Sequence, residues 1–443
     1  MTAPAEPTWR RPGAVGILAL GLPILFLHVD YQPGFSVGFG STSATVDLSD
    51  IVVWVVALTA FVVGLRDRFA PLRAGRTIWI ALGLYLLWIV ISVGYGSRHA
   101  GYATHAHAIS AAKWIEYALL ALAFPLLVRR RVDLYAILAV LTAWSVLASI
   151  VGLVQFFGVR TLGAYPAGRR QPSFLGHNDF AALSAMVLLA GLWLLLFERR
   201  TPRRLTVPMI VSGIVGVVLA GATAGLIGVG AAAVALAAVG LVRGVLHLRL
   251  AVVGALVVGL CALGVVALRG NDYKQFLRFV GVEQREQSTS ENIQTYSQRT
   301  LLLYLGARIF EHHKVTGVGF DGSNDVFAYG PELPATHRRF PHVAPLAFPA
   351  KDRSYGIQDL YVQTLADLGV VGALLLVGVV VAGLAVPLRA AVGGETTGAL
   401  AAAWFLAALG LSIAQGYVAG LPLDALFFLA LGLAAARRRP ALG

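Results

Sequence analysis

An all-α, polytopic membrane bundle of about twelve transmembrane helices, with one long extracytoplasmic helical loop, is the fold this sequence predicts, and three observations predict it. The first is composition. Hydrophobic residues make up 58% of the 443 and charged residues 13%, with a mean hydropathy of +0.75, which is about half the charge of a soluble protein. The second is the recurrence of apolar runs close to the ~20 residues that cross a bilayer as a helix. The third is a single long polar interval, residues 269–357, which carries 11 Lys/Arg, 9 Asp/Glu and four His between two such runs. A loop that long is usually functional or disordered.

Taken in order, the apolar runs predict helices over 13–29, 48–65, 77–95, 109–128, 133–157, 179–197, 205–221, 224–242, 249–268, 358–386, 397–415 and 421–436. Arg10 and Arg11 precede the first run like the charged region of a signal peptide, but no small-residue cleavage site follows, so it reads as an uncleaved span. The basic clusters are Arg10/Arg11, residues 66–76, Arg129/Arg130/Arg131, residues 199–204, residues 243–249, Arg389 and Arg437/Arg438/Arg439. All fall on one side if every run crosses once, which predicts cytoplasmic termini and an external polar loop. Spans seven and eight meet at Gly221-Ala222-Thr223-Ala224-Gly225 as a tight pair, and the small residues over 231–238 favour close helix packing. The chain thus divides into an N-terminal membrane bundle (1–268), the loop (269–357) and C-terminal spans (358–443). Within the loop, Leu301, Leu302, Leu305 and Ile309 recur at helical spacing before a Gly-rich turn. They predict an amphipathic helix that caps a membrane-embedded site.

Composition also excludes function classes. The single Cys, Cys261, lies in an apolar run, which rules out a disulfide framework, a cysteine zinc site and thiol redox chemistry. The net charge of +13 sits mostly beside apolar runs, so it reports topology rather than nucleic-acid binding. No Gly-rich nucleotide loop, nucleophile elbow or catalytic carboxylate pair is present. His99, His105 and His107 have no carboxylate at helical ligand spacing, so no metal site is expected.

Basic residues on the outer side run against topology and are therefore informative. Arg160, Arg169 and Arg170 precede Gly176-His177-Asn178-Asp179 at the mouth of a helix, a setting suited to holding a phosphate by charge-assisted bonds. Arg299 and Arg308 lie on the amphipathic helix, where guanidinium forks suit pyrophosphate oxygens. His337 and His342 stand in the loop as acid–base candidates. Lys113 and Glu116, three apart near the outer end of span four, predict a structural ion pair.

Three segments carry a resemblance. They are Ser297-Gln-Arg299-Thr-Leu-Leu-Leu-Tyr304, Lys314-Val-Thr-Gly317-Val-Gly319-Phe320, and Gln358-Asp359-Leu-Tyr361-Val-Gln-Thr-Leu-Ala-Asp367-Leu-Gly369-Val-Val-Gly372. Together they are similar to the loop and following helix of the bacterial O-antigen ligase and polymerase superfamily, while Phe174–Phe180 and Val46–Asp50 resemble its entries to two earlier spans. The resemblance implies an inverting, metal-independent membrane glycosyltransferase of the GT-C type, without cofactor, in the bacterial inner membrane. It would transfer a glycan from a polyprenyl diphosphate carrier to a glycan or lipid acceptor hydroxyl at the outer face. Arg299, Arg308, Arg169 and Arg170, with His177 and Asn178, would engage the diphosphate, and Gln358, Asp359 and Tyr361 would line the acceptor side. Two positions depart from the pattern: Gln358 stands where the family has a His thought to act as base, and Thr223-Ala224-Gly225 stands where it has Ser-Arg-Gly. Gln accepts no proton at neutral pH, so the base would be Asp359 or His342, or leaving-group departure alone would suffice. A transporter or flippase of lipid-linked anions, or a non-catalytic scaffold, is the alternative. The absence of polar groups over 374–381 favours the enzyme.

Overall fold

The computed structural model describes residues 12–39, 42–198, 203–279, 295–353, 355–417 and 422–436. Arg10, Arg11, Arg199, Arg200, Arg437, Arg438 and Arg439, which enter the topology reading, lie outside these residues, as does 280–294 of the polar interval. The chain is almost entirely helical. After α1 (Pro12–Leu25), an antiparallel pair, β1 (Gly34–Phe39) and β2 (Thr42–Asp47), leads into α2 (Leu48–Arg66). There follow α3 (Arg76–Gly96), α4 (Thr104–Leu127), α5 (Arg131–Phe156), α6 (His177–Phe197), α7 (Arg203–Ala220), α8 (Thr223–Val242) and α9 (Leu248–Phe279). The cap contains α10 (Thr295–His312) and the short helices α11 (Val326–Tyr329) and α12 (Leu333–Arg339). The chain then returns through α13 (Leu360–Val392), α14 (Thr396–Leu411) and α15 (Pro422–Ala435).

Ten helices among the described residues are long and apolar enough to cross a membrane. This is a multi-pass membrane protein. The first and last predicted spans are shorter than expected: α1 and α15 have 14 residues each, or ~21 Å at the helical rise, against a hydrocarbon core of ~30 Å. The β pair was not predicted, although Gly40-Ser41 between two six-residue runs is a hairpin signal. The ninth helix does not stop at residue 268 but continues to Phe279, so Arg269, Asp272 and Tyr273 stand on its projecting end.

α6 and α14 form the centre of the bundle, with 89% of each apolar window buried, whereas α9, at 17%, lies at the periphery. Side chains that vanish let backbones meet. On α8 the closest approach falls at Gly228, just before the predicted small-residue stretch: a Cβ at Gly410 of α14 would stand 2.3 Å from the Gly228 Cα. Lys113 corrects the predicted ion pair. Its Nζ lies 2.9 Å from Asp50 and 3.6 Å from Asp47, across to α2, so it ties α4 to the start of α2 rather than to Glu116 on its own helix. At the end of the bundle remote from the cap, Arg131 pairs with Glu198 at 2.9 Å and Arg129 with Asp67.

The cap is a small second core. Leu301, Leu302, Leu305 and Ile309 are buried, as their spacing predicts, against Val318, Tyr329, Phe348 and Ile357. It is bolted to the bundle through a break in α13. Gly369 adopts φ 65°, ψ −166°, which interrupts the helix, and the loop from α10 fills the gap with backbone. The Val318 and Gly319 amides donate to the Ala366 and Asp367 carbonyls at 3.0 and 2.9 Å, and the Val370 amide donates to the Lys314 carbonyl at 2.8 Å. Helical carbonyls and amides freed by the break are thus paired, as they must be in or near lipid. The contact is so close that a Cβ at Gly317 would stand 2.2 Å from the Asp367 carbonyl, and one at Gly369 would stand 2.3 Å from that of Val315. Both positions need glycine for space and for positive φ.

Side chains complete the joint. The buried Asp367 carboxylate accepts from the Asp321 and Ser323 amides at 3.1 and 2.8 Å. His107 of α4 contacts Asp321 at 3.2 Å and Asp325 at 2.8 Å. The Tyr102 hydroxyl donates to the Phe320 carbonyl at 2.7 Å.

Candidate functional site

Three arginines from three separate segments converge where the cap meets the bundle. The first, Arg170, lies in the α5–α6 loop, seven positions before α6 begins at His177. Two buried glutamines hold that loop in shape: Gln155 donates to the Ser173 and Leu162 carbonyls at 3.0 Å each, and Gln171 accepts from the Tyr165 amide at 2.9 Å. The second, Arg269, is buried near the end of α9. It donates to the Gly221 carbonyl at 3.0 Å and to Asp272 at 3.0 Å, and lies over the Tyr296 ring at 4.6 Å. The third, Arg299, stands on the first turns of α10. Gly221, in the tight α7–α8 turn, touches both Arg170 and Arg269: a Cβ there would lie 3.0 Å from the Arg170 Cβ and 3.6 Å from the Arg269 Cδ. Tyrosines close the group, with the Thr223 hydroxyl 2.8 Å from those of both Tyr273 and Tyr296.

Burial, and after it the neighbouring Arg269 guanidinium, hold the pKa of both Arg170 and Arg299 below the usual arginine value, and Arg170 adds to the effect on Arg299. Arginine nevertheless stays charged. Among the described residues only Asp272, half exposed, is a carboxylate paired with any of the three. Like charges clustered with so little compensation among the described residues are chemically suited to a multivalent anion, and partial burial strengthens such an attraction.

Beside this cluster lies the start of α13. The Arg299 Nε donates to the Gln358 Oε1 at 2.9 Å, joining the cap to the residue that stands at the position of the family His. Asp359 is the N-cap of α13, its Oδ1 accepting from the Val362 amide at 2.8 Å. Burial pushes its carboxyl above the usual range, partly opposed by the amides of Val362 and Tyr361. Tyr361 turns away, its hydroxyl donating to the Leu409 carbonyl at 2.7 Å, and so anchors α13 to α14.

The other predicted residues divide. His177 and Asn178 occupy the first turn of α6, half-buried, with His177 stacked on Tyr165 at 4.7 Å and Arg170 5.8 Å from that same ring. Arg169 is exposed and outside the cluster. His342 is exposed in the turn after α12 and makes no hydrogen bond to the cluster among the described residues. Arg308 stands nine positions from Arg299, half a turn round α10. It pairs with Glu332 at 3.1 Å and Glu311 at 2.6 Å, and His312 meets Glu332 at 2.7 Å. Its charge is spent inside the cap. Arg308→Ala is therefore expected to leave activity within a few-fold of wild type while raising hydrogen exchange over 332–339; a loss as deep as that of Arg299→Ala would place Arg308 in the site after all.

Two residues escaped sequence reasoning. Arg269 carried the same signal as Arg170, a basic residue at the end of a span opposite the main basic clusters, but it stood at the edge of the polar interval and was not singled out. Its contact with Gly221 brings a guanidinium to the same tight turn in which the family pattern carries its missing arginine. His107 looked like one of several scattered histidines, and only the fold sets it between two aspartates 214 and 218 positions away.

Residues 208–377 match the family model described as O-antigen ligase. The match runs from α7 into α13 and takes in Arg269, Arg299, Gln358 and Asp359, the cap and the joint, whereas Arg170 and His177 lie before it. No curated protein matches the chain.

Proposed function

We propose that this chain, whose residues 208–377 match the O-antigen ligase family model, is a glycosyltransferase moving a glycan from a polyprenyl diphosphate carrier to an acceptor hydroxyl at the outer face of the bacterial inner membrane. The coarser part of this statement, a membrane protein of glycan ligation or polymerisation, follows from the family and the apolar helices. The observation that carries the finer part is the convergence of Arg170, Arg269 and Arg299, paired among the described residues with one carboxylate, Asp272. A diphosphate is the anion that such a cluster fits. The basic residues at the helix ends remote from the cap support cytoplasmic termini and an external cap.

In this reading the acceptor oxygen attacks the anomeric carbon from the face opposite the leaving group, and the bond to the diphosphate breaks with its electron pair going to the carrier. The three guanidinium groups stabilise the charge that develops there. Arg299 occupies the Gln358 carbonyl oxygen, which fixes the carboxamide beside the acceptor without making it a base. Asp359 is the group adjacent to it able to take the acceptor proton, its carboxyl made more basic by burial.

The broken helix at Gly369 is the feature a transporter would use at its substrate site. Here the freed backbone groups are paired with the cap loop, so the break is a docking joint, which favours the enzyme.

The test is transfer of a radiolabelled glycan from polyprenyl diphosphate in proteoliposomes, with no added metal or nucleotide. Wild type is expected to form product. Asp359→Asn keeps a good N-cap but removes the base, and should lower the rate by about 10²–10⁴-fold with unchanged thermal stability. Full activity in Asp359→Asn would remove Asp359 as the base, and full activity in His342→Ala as well would show that leaving-group departure alone suffices. No product with several carriers and acceptors, alongside retained lipid binding, would move the protein to the transporter or scaffold class.

A further inference from the structure

The crown of the cap carries positive charge that nothing in the proposed reaction uses. Residues 333–353 contain Arg338, Arg339, Lys351 and Arg353 but a single acid, Asp352, together with His337 and His342. His337, Arg338, Arg339, His342 and Lys351 are all exposed. The remaining acids of the described cap cannot neutralise them, because each is engaged elsewhere. Glu332 is buried against Arg308 and His312, Glu311 meets Arg308, and Asp321 and Asp325 face His107. Rigid aromatic packing holds the strip, with His337 stacked on Phe348 at 3.8 Å and Tyr304 edge-on to Phe340 at 5.5 Å.

The strip is also continuous with the arginine site. The Gln298 amide, next to Arg299, donates to the Ala347 carbonyl at 3.4 Å, and the Tyr355 hydroxyl donates to the Leu346 carbonyl at 3.1 Å. α12 packs on α10 and on the turn before it, so Arg338 and Arg339 share the cap with Arg299.

We propose that this crown is a docking surface for an acidic polysaccharide, a glycan whose repeating carboxylates or phosphates run along Arg338, Arg339 and Lys351. The identity of the polymer as a glycan rests on the proposed function; the charge selection rests on the crown alone. Spaced guanidinium and ammonium groups on a solvated face draw a polyanion by long-range attraction, favour its capture rate and release it in salt.

Binding is measured apart from transfer, so that failure of one reading leaves the other standing. The full-length protein in phosphatidylcholine nanodiscs is titrated with fluorescent polygalacturonate and with neutral dextran of equal length. Wild type is expected to bind polygalacturonate and not dextran, with affinity falling steeply between low and high salt. The triple variant Arg338→Gln/Arg339→Gln/Lys351→Gln, exposed throughout and expected to melt with wild type, should bind about tenfold more weakly. Arg299→Ala should keep most of its polymer binding and lose far less of it than the triple variant.

Equal affinity in wild type and the triple variant, or equal binding of dextran, would overturn the proposal. So would loss of polymer binding in Arg299→Ala, which would move the polymer to the arginine cluster. Nanodiscs containing phosphatidylglycerol supply the last arm: if anionic lipid abolishes polymer binding by wild type, the crown serves headgroups instead.

Discussion

Arg299→Ala is expected to abolish glycan transfer while the protein folds and inserts as before. Arg299 joins the two halves of the proposed chemistry. Its guanidinium belongs to the cluster with Arg170 and Arg269, and its Nε holds the Gln358 carbonyl oxygen at 2.9 Å. Removing one preorganised donor to a developing negative charge costs about 10²–10³-fold in rate, and the loss of the Gln358 tether adds misalignment of the acceptor side. Arg299→Lys restores the charge but not the planar fork and should recover little. A second readout separates capture from catalysis. Three clustered guanidinium groups repel one another until an anion binds, so inorganic pyrophosphate should raise the melting temperature of wild type by linkage and should do so much less in Arg299→Ala. Transfer at wild-type rate in Arg299→Ala would remove diphosphate capture from α10.

Asp367→Ala is expected to release the cap from the bundle. The Asp367 carboxylate is fully buried and accepts the amides of Asp321 and Ser323, so the variant strands two backbone donors and deprives the loop of its fixed point. Each buried donor left without its acceptor costs roughly 1–3 kcal/mol. Because the spanning helices keep their own ladders, the effect should be local: faster hydrogen exchange and protease cleavage over 313–353, unchanged helix content, and transfer lost because α10 no longer presents Arg299. His107→Ala should act in the same direction and less severely, since the backbone bonds to Ala366 and Asp367 remain. Exchange over 313–353 that matches wild type in Asp367→Ala would show that the joint does not depend on this carboxylate.

Much of the architecture is determined by the chain alone, because insertion into lipid is decided by local properties. Each apolar run must satisfy its own backbone, so hydropathy and length specify the order and approximate extent of the long helices, and the spacing of Leu301, Leu302, Leu305 and Ile309 specifies the buried face of α10. The sequence also carried the glycines of 317–319 and 367–372 as a motif, but not their reason. Gly317 and Gly369 lie more than fifty positions apart, and only in three dimensions do they become the two faces of one joint in which neither backbone tolerates a Cβ.

The site divides in the same way. Arg170 and Arg299 were legible because basic residues on the outer side run against topology. That Arg269 completes the cluster, that Arg308 is neutralised by Glu332 and Glu311, and that Tyr361 points to α14 are matters of which face of a helix meets which neighbour. Charge and propensity are properties of a residue, whereas convergence and neutralisation are properties of pairs distant in the chain. Tertiary packing alone decides the second kind.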